Sequence, residues 1–125
     1  MTIVIVEDNI YFRKALQTLI RAHFPSADIR WAENSEQAVE TIWSAPPDLI
    51  FMDIRIPGES GLKLTGKIKA AHPDAVVVIN TSYDLPEYRK AAHDMGADHF
   101  ISKHALGESE TRQLVGRIRQ QLQNT

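Results

Sequence analysis

Pro47-Asp48-Leu49-Ile50-Phe51-Met52-Asp53 is the stretch that decides the fold. Leu49 to Met52 are apolar without alternation, the pattern of a strand covered on both faces, and such strands belong to parallel sheets held between helix layers. Ile3-Val4-Ile5-Val6 and Ala75-Val76-Val77-Val78-Ile79 read the same way. With Asp48 to Met52 they are expected at the centre of one sheet. Asp28-Ile29-Arg30-Trp31-Ala32 and His99-Phe100-Ile101-Ser102-Lys103 alternate polar with apolar residues, which suits strands nearer the edges.

Helical stripes fill the gaps. Phe12, Leu16, Leu19 and Ile20 mark the first, Ala38, Val39, Ile42 and Trp43 the second, and Leu64, Ile68 and Ala71 the third. Tyr88, Ala91, Ala92 and Met95 mark the fourth, and Leu114, Val115, Ile118 and Leu122 the fifth. Asn34-Ser35 is a cap region before the second helix, Asp8 or Asn9 caps the first, Pro86 opens the fourth and Gly96 follows its end. The order is a strand and a helix repeated five times, an α/β doubly wound five-stranded parallel sheet forming one domain over residues 1–125. Gln120-Gln121-Leu122-Gln123-Asn124-Thr125 reads as fraying helix or the start of a linker. Trp31 and Trp43 are expected to pack in strand and helix. His23, His72, His93, His99 and His104 lack metal-ligand spacing and are expected at surface or edge positions. Arg112, Arg117 and Arg119 make the last helix locally basic, the mark of a solvated or docking face.

Composition removes whole classes of function. The 125 residues are 43% hydrophobic and 24% charged, too apolar for a disordered chain. Fourteen Lys and Arg against sixteen Asp and Glu leave a net charge of −2, with no bulk basic field for nucleic acid or a membrane surface. The absence of cysteine removes thiolate metal sites and disulfides, and no apolar run approaches the roughly 18 residues of a membrane span. Met1-Thr2-Ile3-Val4 has no basic signal-peptide flank, so the expected compartment is the cytoplasm.

A doubly wound sheet binds its ligand beyond the carboxyl ends of its strands, where the strand order reverses. Glu7 and Asp8 follow the first strand, Asp53 the third, Thr81 the fourth and Lys103 the fifth, so all five are expected in one crevice. Three carboxylates together repel unless a cation joins them. Carboxylates without a His or Cys ligand suit a hard divalent ion that keeps its waters, and Mg²⁺ leads. Lys103 offers a point charge for a phosphate or for Asp53, and the Thr81 hydroxyl a donor or a turn closure.

Ile3 to Asn9, Pro47 to Asp53 with Pro57-Gly58 and Gly61, Val76 to Ser82, and Gly96 to Lys103 together resemble the receiver domain of bacterial two-component response regulators, over essentially the whole chain. The resemblance implies a flavodoxin-like fold with strand order 2-1-3-4-5. It implies that Asp53 is the phosphoacceptor, that Glu7, Asp8, Asp53 and the Arg55 backbone carbonyl hold Mg²⁺, that Thr81 is the switch hydroxyl, that Lys103 contacts the phosphate and that Phe100 is the aromatic switch. A sensor histidine kinase or phosphotransfer protein would be the donor and phosphorylation would drive homodimerisation. The chain is similar to receivers that precede a helix-turn-helix output domain, which implies transcription regulation with any DNA contact made by a separate domain. His104 departs from the family, where proline often follows the lysine. Arg55 and Tyr83 stand where similar proteins tune phosphate lifetime, and their bulk implies slow self-dephosphorylation.

The domain is therefore read as a signalling switch rather than an enzyme, although it assists its own phosphotransfer. A stand-alone phosphorylation-dependent interaction switch is the alternative. An aspartyl-phosphate phosphatase places a second Asp where Arg55 stands, and an FMN binder would suffer repulsion between Glu7-Asp8 and its phosphate.

Overall fold

The computed structural model describes residues 1–123. Its elements, in chain order, are β1 (Thr2–Val6), α1 (Ile10–His23), β2 (Asp28–Ala32), α2 (Ser35–Ser44) and β3 (Leu49–Met52). After these come α3 (Gly61–Ala71), β4 (Val76–Thr81), α4 (Pro86–Asp94), β5 (His99–Ser102) and α5 (Ser109–Gln123). All pairings are parallel, in the order β2-β1-β3-β4-β5. The expected fold and strand order are therefore observed. Asp48 and Ala75 fall just outside their strands, β4 runs on to Thr81, and Lys103 opens a short 3₁₀ turn through Ala105.

Strand alternation divides the interior into two cores. On one face Val4, Val6, Ile50, Met52, Val77 and Ile79 pack against Ile42 of α2, Leu64 and Ile68 of α3 and Ala92 of α4. On the other, Ile3, Ile5, Phe51, Val78 and Ile101 pack against Leu16 and Ile20 of α1 and Val115 and Ile118 of α5. Phe51 is fully buried, and such a side chain contributes about 3–5 kcal/mol against truncation to alanine. The two layers hold the strand ends in fixed register.

Several expected apolar stripes are narrower than the sequence suggests. Val39 and Trp43 of α2 and Trp31 of β2 are exposed. Trp31 lies on the edge strand and takes the Arg13 guanidinium over its ring at 4.9 Å, while Trp43 meets His72 edge-on at 5.2 Å. Each satisfies its apolar area against a cation or ring at the surface, so the expectation of interior packing is corrected. Ala71 is exposed at the end of α3. Met95 is exposed too, because α4 stops at Asp94 and the chain turns through Gly96 at φ +92°. Asn9 caps α1 by accepting from the Tyr11 and Phe12 N–H groups, and Asn34 caps α2 through the Gln37 N–H. The polar C-terminal residues are helical through Gln123, while Asn124 and Thr125 lie outside the described residues.

Candidate functional site

Glu7 and Asp53 each directly follow a buried strand, and the sheet carries them into an interior that their own side chains cannot escape. Glu7 is 0% and Asp53 5% exposed, whereas Asp8 is open to solvent. Backbone bonds from Glu7 N–H to Ala32 O at 3.0 Å and from Asp53 N–H to Val6 O at 3.1 Å extend the ladders to this level. One carboxylate oxygen from each of Glu7, Asp8 and Asp53 lies within 4.8 Å of the others. The loop after Asp53 is pinned at Gly61, whose N–H donates to Ile54 O at 2.9 Å and whose position admits no Cβ, since it would collide with the Asp53 carbonyl.

Lys103 closes the cluster. Its Nζ donates to Glu7 Oε1 at 2.7 Å, Glu7 Oε2 at 3.0 Å and Asp53 Oδ2 at 2.9 Å, and sits 4.6 Å from the centre of the Phe12 ring. Of the two partners read from the sequence, the carboxylate is the one seen. Burial pushes the Glu7 carboxyl up to about 7, and its hydrogen bond with Asp53 pushes the same way, against the pull of Lys103. Burial works against the Lys103 ammonium, yet the two acids outweigh it and raise its pKa. Three hard oxygen donors converging on a compact cation fit a divalent ion of the Mg²⁺ class.

Thr81 is fully buried at the end of β4, where its hydroxyl accepts the Tyr83 N–H at 3.1 Å, with no hydrogen bond to the carboxylates among the described residues. Phe100 is partly buried against the core that contains Ile79 and Ala92, on the same sheet face as Thr81. The structure thus gathers Glu7, Asp8, Asp53 and Lys103 and sets Thr81 and Phe100 to one side. Arg55 is exposed, with its N–H 3.4 Å from Asp53 Oδ1 and its guanidinium 4.1 Å over the Tyr83 ring. The turn after Lys103 proceeds without proline, with Ser102 Oγ accepting the His104 N–H at 3.3 Å.

Three contributors were missed by sequence reasoning. Phe12, expected only as core, flanks Lys103. Arg89 of α4 lies 4.6 Å over the Phe100 ring, a contact that no local pattern announces. Asn80 is 0% exposed, with both amide atoms lacking a hydrogen-bond partner among the described residues, and it faces the α1/α5 core beside Ile101. A polar residue breaking the run Val76 to Ile79 was the available signal. Lys103 lies hydrogen-bonded within the acidic crevice, and a cavity of about 660 Å³ lies at the opposite end of the sheet beside Met1, Pro47 and His72.

Residues 3–118 match the model of the response regulator receiver domain. The chain belongs to that family. A chemotaxis protein CheY from Halobacterium salinarum is 35% identical over 101 residues, covering 81% of this chain and 82% of that protein. A cyclic di-GMP phosphodiesterase from Thermotoga maritima is 39% identical over 103 residues, covering 82% of this chain. This chain spans only 27% of that longer relative. Among solved structures, the signal receiver domain of a DNA-binding response regulator from Colwellia psychrerythraea superposes with a TM-score of 0.87 at 22% identity, over 96% of this chain and 98% of that one. At that identity the likeness shows the fold. The receiver domain has no helix among its described residues long and apolar enough to cross a membrane.

Proposed function

We propose that this receiver domain accepts a phosphoryl group on Asp53 from a phosphohistidine of a sensor histidine kinase or phosphotransfer protein. The observation that carries the reading is the Lys103 ammonium held 2.9 Å from Asp53 and 2.7 Å from Glu7, with the Asp8 carboxylate beside them. An Asp53 oxygen attacks phosphorus in line, the P–O bond forms as the P–N bond breaks, and the imidazole leaves with the electron pair. Lys103 exchanges a carboxylate for a phosphoryl oxygen and offsets its charge, so positioning and electrostatics supply most of the rate. Glu7, Asp8, Asp53 and the Arg55 backbone carbonyl would hold Mg²⁺, which supplies charge neutralisation of the transferring group.

The acyl phosphate adds negative charge and acceptor oxygens beside Thr81. Thr81 then exchanges the Tyr83 N–H for a phosphoryl oxygen, and Phe100 turns into the space released, which remodels the surface of α4, β5 and α5 for a partner. We read the output as transcription regulation in the cytoplasm, with homodimerisation on phosphorylation and DNA bound by a separate domain, on the resemblance to receivers that precede such domains. The Arg55 stack on Tyr83 supports a roof over the phosphoryl site and a long-lived phosphate. The test of the central reading is labelling by a small acyl phosphate. Wild type takes up label only with Mg²⁺ and Asp53→Asn takes up none. Label retained by Asp53→Asn would overturn the assignment.

A further inference from the structure

Arg89 stands at the end of the first turn of α4 and makes two contacts that join separate parts of the switch. Its Nε donates to Asp84 Oδ1 at 2.6 Å, and its guanidinium carbon lies 4.6 Å from the centre of the Phe100 ring. Asp84 belongs to the β4–α4 loop three residues after Thr81, and Phe100 belongs to β5. One side chain therefore ties the loop that begins at the switch hydroxyl to the aromatic ring on the neighbouring strand. Phe100 packs partly buried against the core that holds Ala92, and with Arg89, Ala92 and Ala97 it lines a hollow of about 180 Å³.

Both contacts act in one direction. The cation prefers the ring face, and the carboxylate fixes the guanidinium plane over it, so the pair acts as one unit. Asp84 is held below its ordinary pKa by the hydrogen bond from Arg89, and Arg89 is raised by the same bond. A turn of the Phe100 ring away from the Arg89 guanidinium forfeits the stack.

We propose that Arg89, braced by Asp84, is a positioning residue that clasps Phe100 in the unphosphorylated arrangement, so that the strength of this clasp sets how readily the domain switches. The inference rests on the reading of Asp53 as phosphoacceptor and Phe100 as the ring that turns. A ligand that selects the switched state must open the clasp, and by linkage its affinity is reduced by the fraction of molecules held shut.

The experiment measures calorimetric affinity for beryllofluoride with Mg²⁺, a mimic of the phosphoryl group, alongside NMR of the Phe100 ring in the free protein. Arg89→Ala should bind the mimic roughly 3- to 10-fold more tightly than wild type, the range expected from loss of one partly exposed cation–ring contact. Asp84→Asn should shift it less in the same direction, and the double variant should not exceed Arg89→Ala, since the two residues act together. Arg89→Lys, which keeps charge without the planar stack, should fall between. Lys90→Ala, which removes a different α4 ion pair with Asp94, serves as the control and should leave affinity unchanged. In free Arg89→Ala the Phe100 resonances should move toward those of the mimic-saturated wild type. Unchanged or weaker binding by Arg89→Ala, or a matching gain in Lys90→Ala, refutes the clasp, and so does a Phe100 spectrum that does not move. Failure of wild type to bind the mimic, or equal binding by Asp53→Asn, refutes the phosphoacceptor reading, and the ring spectrum of the free variant then still decides whether Arg89 holds Phe100.

Discussion

Replacing Asn80 by valine should stabilise this receiver domain, although a substitution in the middle of a buried strand ordinarily does the reverse. Asn80 is 0% exposed, and neither its Nδ2 nor its Oδ1 has a hydrogen-bond partner among the described residues. Leaving a buried donor or acceptor unsatisfied costs about 1–3 kcal/mol, so two such atoms on one side chain cost about 2–6 kcal/mol before any compensation. The neighbours on that face are apolar: Val78 precedes it by two residues, and Ile101 is its register partner on β5. Valine suits a strand and removes both polar atoms, while losing one heavy atom leaves a gap worth about 1 kcal/mol. The balance is a gain of about 1–3 kcal/mol, the lower range because relaxation satisfies part of the amide. At about 4 °C per kcal/mol for a chain of this size, the melting temperature should rise by about 4–12 °C. Urea denaturation followed by circular dichroism measures it, with the slope of the transition unchanged. A midpoint that stays in place or falls would show that the amide of Asn80 is already satisfied, and the reasoning from its isolation would be wrong.

Three other outcomes follow from the same structure. Gly61→Ala should destabilise by about 2 kcal/mol or more, because the new methyl meets the Asp53 backbone carbonyl and that backbone cannot give way without moving Asp53, the proposed phosphoacceptor; urea midpoints and labelling rate should fall together. His99 is half-buried in β5, and burial, reinforced by Arg117, holds its pKa below the ordinary value of about 6.5 against the opposing pull of Asp98 and Gln121. The unfolded histidine then protonates before the folded one, so its contribution is present above about pH 6.5 and is lost as pH falls through the folded value; His99→Gln should lose less stability than wild type between about pH 7.5 and 5.5. The double variant Arg55→Ala, Tyr83→Ala should shorten the half-life of the phosphorylated domain by roughly tenfold or less, as expected when water exclusion rather than a reacting group is lost, and a half-life unchanged or longer would contradict the roof.

The sheet was legible because its three central strands are covered on both faces, and that leaves a signature no other element shares. Leu49 to Met52 had to be a buried parallel strand, and once five such units were ordered, the strand-end residues Glu7, Asp8, Asp53 and Lys103 had to meet. Exposure was less legible, since a tryptophan contributes the same hydropathy whether it enters a core or lies under a guanidinium, as Trp31 does under Arg13. The pairing of Lys103 with Glu7 spans 96 residues of chain, so only the assembled topology reveals that the ammonium pairs with Glu7 as well as Asp53. Arg89 over Phe100 is equally invisible, because it depends on how α4 settles against β5 and not on any periodicity within either.

The end of β4 is where the two halves of the proposed mechanism meet. Asn80 faces the α1/α5 core with Val78, the side on which Phe12 flanks the Lys103 ammonium. Its immediate neighbour Thr81 faces the opposite core with Ile79 and Phe100, the side on which Arg89 lies. Adjacent residues of a strand point to opposite faces, so a displacement of these two residues is felt at once by the proposed phosphoryl site and by the layer proposed to face a partner. Packed layers have discrete arrangements and do not deform smoothly, which turns a small shift at that strand end into a choice between two states. A fully apolar β4 would hold its end more tightly. On the proposed switch, the isolated amide of Asn80 weakens the strand beside the hydroxyl that has to move.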